Sequence, residues 1–496
     1  MTTTTFTTPR LVESLADLKA EVFAGAFADA LTRADLVELR LDRLPAGILS
    51  KVPTEDRSRV VATCRAAWEG GAWAGTEEER LAVLATALDA GVGFVDVEWR
   101  AAGRAALLAR SRERVVLSMH DFEGVPDDLA DRVAAMAAER PAVVKVAVHA
   151  RRLTDVLRCR EAGRAAGDVP VVLIAMGPRG VATRLLAGHL GSCWTYAGDG
   201  VAPGQVPASV MRQVYRVGRV TSTAAVFGVA GRPVGHSLSP VLHNAAFESL
   251  GLDAIYVPFD AEDVDDLLAT ADGLGVRGLS VTAPFKEAVL TRAVTADAET
   301  RAIGAANTLM RTPDGWAASN TDVDGFLTPL RRVRALRGSR VSVLGAGGAA
   351  RAVVTGLVRE GALVTVHARR SEQAAALTSL GGRAGAFPPA RNAWDVLVNT
   401  TPVGTSPHVG ETPLAADALG GGFVYDLVYN PADTRLLREA RAAGAATLGG
   451  LEMLVTQAAH QCARWCDVAP PIDVMRDAVA RHAPHLVPQT ESACPE

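Results

Sequence analysis

Of the 51 basic residues in this chain of 496, only four are lysines: Lys19, Lys51, Lys145 and Lys286. Arginine stands almost everywhere that lysine would serve. A lysine kept inside a structured segment therefore points to a task that needs an amine. Lysine can lose its proton and form a Schiff base; arginine can do neither. Lys145 interrupts an apolar run, Val143-Val144-Lys145-Val146-Ala147-Val148. Desolvation there is expected to lower its pKa. A neutral amine attacks a ketone carbonyl, and the iminium formed acidifies the adjacent carbon. His120, in Ser118-Met119-His120-Asp121-Phe122, titrates near neutrality and suits moving that proton to a leaving hydroxyl. Arg40, Arg65 and Arg184 offer bidentate contacts to a substrate carboxylate. Glu38 and Glu69 could orient His120 or polarise substrate hydroxyls. Spacing alone equally admits a structural salt network of Glu38, Arg40, Arg65 and His120.

A second set lies further along. Lys286 follows Ser280-Val281-Thr282-Ala283-Pro284-Phe285. With Asp322 it forms a candidate pair for moving a proton at the oxygen of a carbon that gains or loses hydride. Gly235-His236-Ser237-Leu238-Ser239-Pro240 offers hydroxyls to a carboxylate-bearing polyol, or forms an ordinary turn with a helix cap. Gly345-Ala346-Gly347-Gly348-Ala349-Ala350-Arg351 follows a strand pattern and opens a helical one. That order brings backbone N–H groups and a helix N-terminus onto a pyrophosphate. An NAD site would place Asp or Glu about 20 residues later, on the ribose hydroxyls. Here the next strand ends in Ala368-Arg369-Arg370. Arginines suit the 2′-phosphate of NADP(H), or they are plain solvated loop charges.

These residues need elements to hold them. Eight apolar runs recur at 9–14, 35–41, 59–65, 93–98, 114–120, 142–148, 170–176 and 191–197, most followed by a helix-length segment. Alternating β and α elements imply a parallel sheet. Eight such units in about 210 residues fit a closed (β/α)8 barrel, with chemistry at the C-terminal strand ends. Residues 1–219 are read as that barrel and 218–224 as a linker. A second α/β region starts at Ala225, another strand follows at Arg340, and 486–496 is expected to be a disordered tail. Net charge −4 and pI near 6.2 give no basic patch for nucleic acid. No apolar run approaches the roughly 18 residues of a membrane span. The N-terminus lacks the regions of a signal peptide. Six cysteines show no framework spacing, and the cytoplasm is the natural expectation. Cys462 and Cys466, near His460, are read as a buried helix face, and no metal is expected. The expected partners are small-molecule substrates, with no nucleic acid and no membrane. Monomer and homodimer both stay open.

Residues 9–215 resemble the type I 3-dehydroquinate dehydratases. The resemblance rests on Glu38-Leu39-Arg40-Leu41-Asp42, Thr63-Cys64-Arg65 with Glu69-Gly70-Gly71, and Ser118-Met119-His120-Asp121-Phe122. It continues through Lys145, Met176, Thr183-Arg184-Leu185 and Ala202-Pro203-Gly204-Gln205. It implies Lys145 as the Schiff-base lysine, His120 as general acid/base and Glu69 in the catalytic group. Glu38, Arg40, Arg65, Arg184 and Gln205 would contact substrate. Val201 stands where the family commonly has a serine, which removes one lid hydroxyl.

Residues 225–485 resemble the shikimate dehydrogenases. The matching motifs are Gly231-Arg232-Pro233 through Pro240, Val281-Thr282-Ala283-Pro284-Phe285-Lys286, Gly304-Ala305-Ala306-Asn307-Thr308 and Asn320-Thr321-Asp322. The glycine loop, Asn399-Thr400-Thr401-Pro402-Val403-Gly404, Tyr425-Asp426-Leu427-Val428-Tyr429 and Gly450-Leu451-Glu452-Met453-Leu454 to Gln457 complete them. This resemblance implies Lys286 and Asp322 as the catalytic pair. Ser237, Ser239, Thr282, Asn307, Asp322 and Gln457 would meet substrate. Gly345, Ala346, Gly347, Gly348, Ala349, Arg369, Arg370, Thr400 and Gly450 would meet NADP(H). It also implies a two-lobed α/β dehydrogenase: a substrate-binding domain at 224–330, completed by 450–485, and a Rossmann domain at 331–449. Ser280 replaces the asparagine of single-domain bacterial members, as it does in fused plant enzymes. The two halves would dehydrate 3-dehydroquinate to 3-dehydroshikimate, then reduce that to shikimate with NADPH. A quinate-preferring second half is an alternative, against which the Ser237/Ser239 pair argues. A catalytically silent metabolite-sensing regulator is another, against which all four catalytic residues argue.

Overall fold

The computed structural model describes residues 8–198, 200, 204–420 and 422–486. Val201, and the expected tail beyond residue 486, lie outside the described residues. The chain divides into two compact units. The first is Met1–Phe227, Pro233–Gly235 and Asp253–Val276; the second is Gly228–Arg232, His236–Leu252 and Arg277–Glu496.

All eight apolar runs of the first unit become strands: β1 Arg10–Leu15, β2 Leu36–Arg40, β3 Val60–Thr63, β4 Phe94–Glu98, β5 Val115–Asp121, β6 Val143–His149, β7 Val171–Met176 and β8 Trp194–Ala197. Successive strands pair in parallel, and β8 pairs back onto β1. A bridge from Val171 to Ser192 nearly closes the barrel. Side chains alternate across a strand, so every second residue points inward. At the lower end these inward residues are apolar: Val12, Leu36, Val61, Val116, Val143, Val172 and Trp194 pack into one buried cluster. One step up, the same faces carry Ser14, Glu38, Thr63, Asp96, Ser118 and Lys145, all buried. Arg40, Glu98 and His120 come one step higher. The reactive polar residues were expected at strand ends. Arg40 and His120 are there, but Glu38 and Lys145 lie one layer deeper, because a single apolar layer already fills the barrel floor.

In the second unit six parallel strands lie in the spatial order Arg383–Gly385, Leu363–His367, Arg340–Leu344, Val396–Asn399, Phe423–Asp426 and Ala446–Leu448. Numbered along the chain this is 3-2-1-4-5-6, the doubly wound order that opens a crevice at the carboxyl ends of its strands. The same unit holds an antiparallel run, Gly278–Val281 with Thr308–Thr312 with Gly315–Ser319. Helix Leu451–Cys466 packs along helix Asp322–Val333.

Candidate active sites

The upper half of the barrel is a cleft lined by Glu38, Arg40, Arg65, His120, Lys145, Arg184 and Gln205, with Ser14 and Tyr196. Every residue read from the sequence as a barrel site lies in it, save Glu69, which reaches it through His120. Lys145 Nζ sits 2.9 Å from Asp96 Oδ2 and 3.5 Å from Glu38 Oε1, and 4.0 Å over the Tyr196 ring. Asp96 also accepts from Arg65 Nη2 at 2.8 Å and Ser118 Oγ at 2.6 Å. Glu38 accepts from Ser14 Oγ at 2.6 Å and Thr63 Oγ1 at 2.8 Å.

Lys145 was expected to be uncharged, and this is corrected. Burial does press its pKa down, but Asp96 and Glu38 more than offset it and hold it above the ordinary lysine value. The resting amine is an ammonium and must give up its proton before it can attack a carbonyl. Nor does His120 titrate near neutrality: burial, with Arg65 and Lys145, holds it well below its ordinary value and keeps it neutral. A neutral imidazole next to an ammonium is the base that the first step requires.

Glu69 Oε2 lies 2.9 Å from His120 Nδ1. Burial pushes Glu69 up to about 8, with Arg65 opposing and Glu98 and Asp96 reinforcing the rise. The folded protein thus keeps a proton there that the unfolded chain releases near the ordinary value of 4.5. Stability from this group is complete below that pH and falls until about pH 8. Relative to a Glu69→Gln variant, the wild type is expected to lose stability steadily from pH 5 to about 8. Urea midpoints of both proteins across that range test this; a constant difference would refute it.

The arginines separate. Arg40 grips Asp42 through two bonds, at 3.0 and 2.8 Å. Arg65 is held by Asp96 and by Glu98 at 3.0 Å. Arg184 is buried and donates Nη1 to Tyr196 O at 3.1 Å, while its Nε has no partner among the described residues. Burial pushes it down to about 10, with only Glu38 acting against. Of the three it alone lacks a neutralising carboxylate. Of the salt network expected as the alternative, Arg65 is a member, and the same network seats Lys145. Asp96, Glu98 and Ser118 were missed. Phe94-Val95-Asp96-Val97-Glu98 shows the signal, two acids two apart on one strand face.

In the second unit Lys286 Nζ lies 2.6 Å from Asp322 Oδ2. Asn307 Nδ2 donates to Asp322 Oδ1 at 2.7 Å and lies 3.4 Å from Gln457 Oε1. Asp322 opens helix Asp322–Val333, where a carboxylate meets the positive helix end. Gln461, which the sequence reading passed over, donates to Asn307 O and Thr308 Oγ1, both at 3.1 Å, and accepts from Ser280 Oγ at 2.7 Å. Its place one turn beyond Gln457 was the available signal. Ser237 and Ser239 lie at the start of helix Ser239–Ser249 and Thr282 just past strand Gly278–Val281. No bond joins these three hydroxyls to the quartet among the described residues.

The glycine loop links Arg340–Leu344 to helix Gly348–Arg359, whose first turn carries no acid. Gly345 has φ +103°, and a Cβ there would stand 2.7 Å from Thr400 Oγ1. The Thr400 hydroxyl donates to Leu344 O at 2.7 Å. Ala346 and Ala349 flank the turn. A Cβ at Gly347 would meet nothing, so open space lies above the helix N-terminus. Gly348 approaches Lys286, whose Cδ would be 3.2 Å from a Cβ. Arg369 and Arg370, past the second strand, are exposed and make no ion pair among the described residues. An open helix end with two unengaged arginines fits a phosphorylated dinucleotide. At Gly450, packing alone demands glycine, since a Cβ would lie 2.2 Å from Leu427 O.

The model of the family Type I 3-dehydroquinase matches residues 22–222. Shikimate dehydrogenase substrate binding domain matches 229–309, and Shikimate 5'-dehydrogenase C-terminal domain matches 450–480. A bifunctional 3-dehydroquinate dehydratase/shikimate dehydrogenase, chloroplastic, from Arabidopsis thaliana is 34% identical over 86% of this chain and 77% of its own. A shikimate dehydrogenase (NADP(+)) from Methanothermobacter thermautotrophicus is 42% identical over 53% of this chain and 98% of its own. A shikimate dehydrogenase crystallised with NADP+ superposes with a TM-score of 0.51 at 32% identity, over 53% of this chain and 97% of that one.

Proposed function

The chain belongs to the bifunctional 3-dehydroquinate dehydratase/shikimate dehydrogenase family, and from that membership we propose that it catalyses two consecutive steps of the shikimate pathway. The first is dehydration of 3-dehydroquinate to 3-dehydroshikimate, and the second is reduction of that product to shikimate. The observation that carries this is the pair of lysine sites: Lys145 against Asp96 in the barrel, and Lys286 against Asp322 in the second unit.

In the barrel, Arg184 takes the substrate carboxylate and Glu38 and Gln205 take hydroxyls. Arg40 and Arg65, neutralised within the protein, shape the wall. Lys145 passes its proton to His120 and attacks the ketone; His120 returns that proton to the carbinolamine hydroxyl, which leaves as water and gives the iminium. His120 removes the proton from the adjacent carbon and returns one to the departing hydroxyl, which leaves as water. Hydrolysis of the iminium frees the product and restores the amine. Glu69 holds His120 in place.

In the second unit NADPH supplies a hydride to the ketone carbon. Lys286 gives its proton to the oxygen and Asp322 steadies the ammonium. Asn307, Gln457, Ser237, Ser239 and Thr282 hold the ring hydroxyls and carboxylate. Gly345–Ala349 cradle the pyrophosphate, with Thr400 and Gly450 bordering the site, and Arg369 and Arg370 take the 2′-phosphate. Replacing both arginines by alanine is expected to raise KM for NADPH by about 10- to 100-fold, from loss of charge-assisted bonds. KM for NADH should stay unchanged; an equal rise for both coenzymes would refute the assignment.

No helix among the described residues is long and apolar enough to cross a membrane. Cytoplasmic placement is part of the proposal, supported by the five described cysteines, all free thiols. The whole reading is tested by giving the purified chain 3-dehydroquinate and NADPH. Shikimate should accumulate as NADPH is oxidised. Oxidation with 3-dehydroshikimate but not with 3-dehydroquinate would remove the first activity from the reading.

A further inference from the structure

The boundary of the first compact unit does not follow the family boundaries. Asp253–Val276 falls within the stretch matched to the shikimate dehydrogenase substrate binding domain, yet it belongs to the same unit as the barrel. Its contacts there are specific. The Asp266 carboxylate, 1% exposed, accepts from Leu153 N at 2.9 Å, Thr154 N at 3.0 Å and Thr154 Oγ1 at 2.9 Å. It also accepts from Glu262 N at 3.1 Å, so one carboxylate ties its own chain start to the loop after β6. Helix Val264–Leu274 packs on helix Asp155–Gly163. Arg160 Nη1 caps Gly273 O at 2.8 Å, and a Cβ on Gly273 would lie 2.5 Å from Leu157 Cδ1.

The same segment reaches the short helix that carries Arg184. Strand Ala254–Asp260 packs on helix Val181–Leu185 and on the turn Pro178–Gly180 before it. Arg179, in that turn, pairs with Glu262 and donates to Arg151 O. Asp155 fixes the other side of the 151–155 loop by accepting from Arg151 N at 2.8 Å and Arg152 N at 3.0 Å. The β6 loop, the turn Pro178–Gly180 that leads into the Arg184 helix, and Asp253–Val276 thus form one hydrogen-bonded block.

We propose that Asp253–Val276 is a working part of the dehydratase: clamped by Asp266, it holds the short helix from which Arg184 meets the substrate carboxylate. This rests on the dehydratase reading above. Asp266 touches no substrate and is a positioning residue. Buried polar clamps of this kind are costly to leave half-made, because each freed N–H loses its partner without regaining water. The barrel is then not separable from the rest of the chain at the family boundary near residue 222.

The test uses the full chain carrying Asp266→Ala, with dehydrogenase turnover as the check that the chain is folded. KM for 3-dehydroquinate is expected to rise about fivefold or more with kcat within about twofold, the signature of weakened binding without lost chemistry. Hydrogen–deuterium exchange should quicken in peptides covering 151–155 and 178–186, and Asp266→Asn should recover part of both effects. Should Asp266→Ala fail to fold, Thr154→Val removes one bond from the barrel side and is read in the same way. Unchanged KM in a folded variant overturns the proposal, whether or not exchange quickens; so does equal loss of kcat. Arg184→Ala separates the two levels. If it leaves KM unaltered, the role given to Arg184 fails; if it raises KM while Asp266→Ala does not, only the clamp fails.

Discussion

Lys145→Met is expected to lower dehydratase turnover by roughly 10⁴-fold or more, the usual consequence of removing a covalent nucleophile. The methionine fills the same slot between Tyr196 and the strand faces but has no nitrogen to attack a carbonyl. Lys145→Arg should fail equally, although it keeps the positive charge beside Asp96. Charge is therefore separated from nucleophilicity by one comparison. Borohydride added with 3-dehydroquinate should fix a reduced adduct on the peptide holding Lys145, and none on either variant. An adduct on Lys51, or none on the wild type, would sink the assignment. Shikimate dehydrogenase activity should be untouched in both variants, since Lys286 and its partners belong to the second unit.

Lys286→Met is expected to slow reduction of 3-dehydroshikimate by roughly 10³-fold, within the range for loss of a positioned proton donor. KM for NADPH should stay within about twofold, because the glycine loop, Arg369 and Arg370 are unaltered. Asp322→Asn should cost less, since Asn307 can still bond to the remaining oxygen and the Lys286 amine is still in place. The pattern to look for in steady-state kinetics is a falling kcat at constant coenzyme KM. Near wild-type reduction in Lys286→Met would show that another group donates the proton.

The barrel was legible because its strands are short, apolar and evenly spaced, and because one scarce amine marked its centre. The Rossmann sheet was legible for similar reasons, with the glycine loop between strand and helix. What stayed hidden was charge balance. Asp96 and Glu98 mark one face of β4 in the sequence, but not their partners; only the folded barrel places Asp96 2.9 Å from Lys145. The protonation of Lys145 follows from that contact, so burial alone gave the wrong sign. Gln461 was hidden for the same reason: its partners lie more than 150 residues away in sequence. Helix Leu451–Cys466 brings it to Asn307, and Ser280 accordingly has a partner that an isolated motif does not reveal. Cys462 and Cys466, one turn apart and read as a buried helix face, lie on that helix with Cys462 buried and Cys466 half-buried.

The apolar floor of Val12, Leu36, Val61, Val116, Val143, Val172 and Trp194 makes the barrel a blind-ended vessel. Among the described residues the polar cleft lies above this floor, so substrate, the eliminated water and product are expected to pass through the doorway at the mouth. Inhibitors of this half can gain atoms only in the direction of that doorway. A substituent aimed below Lys145 meets close-packed valines, with no room to be accommodated.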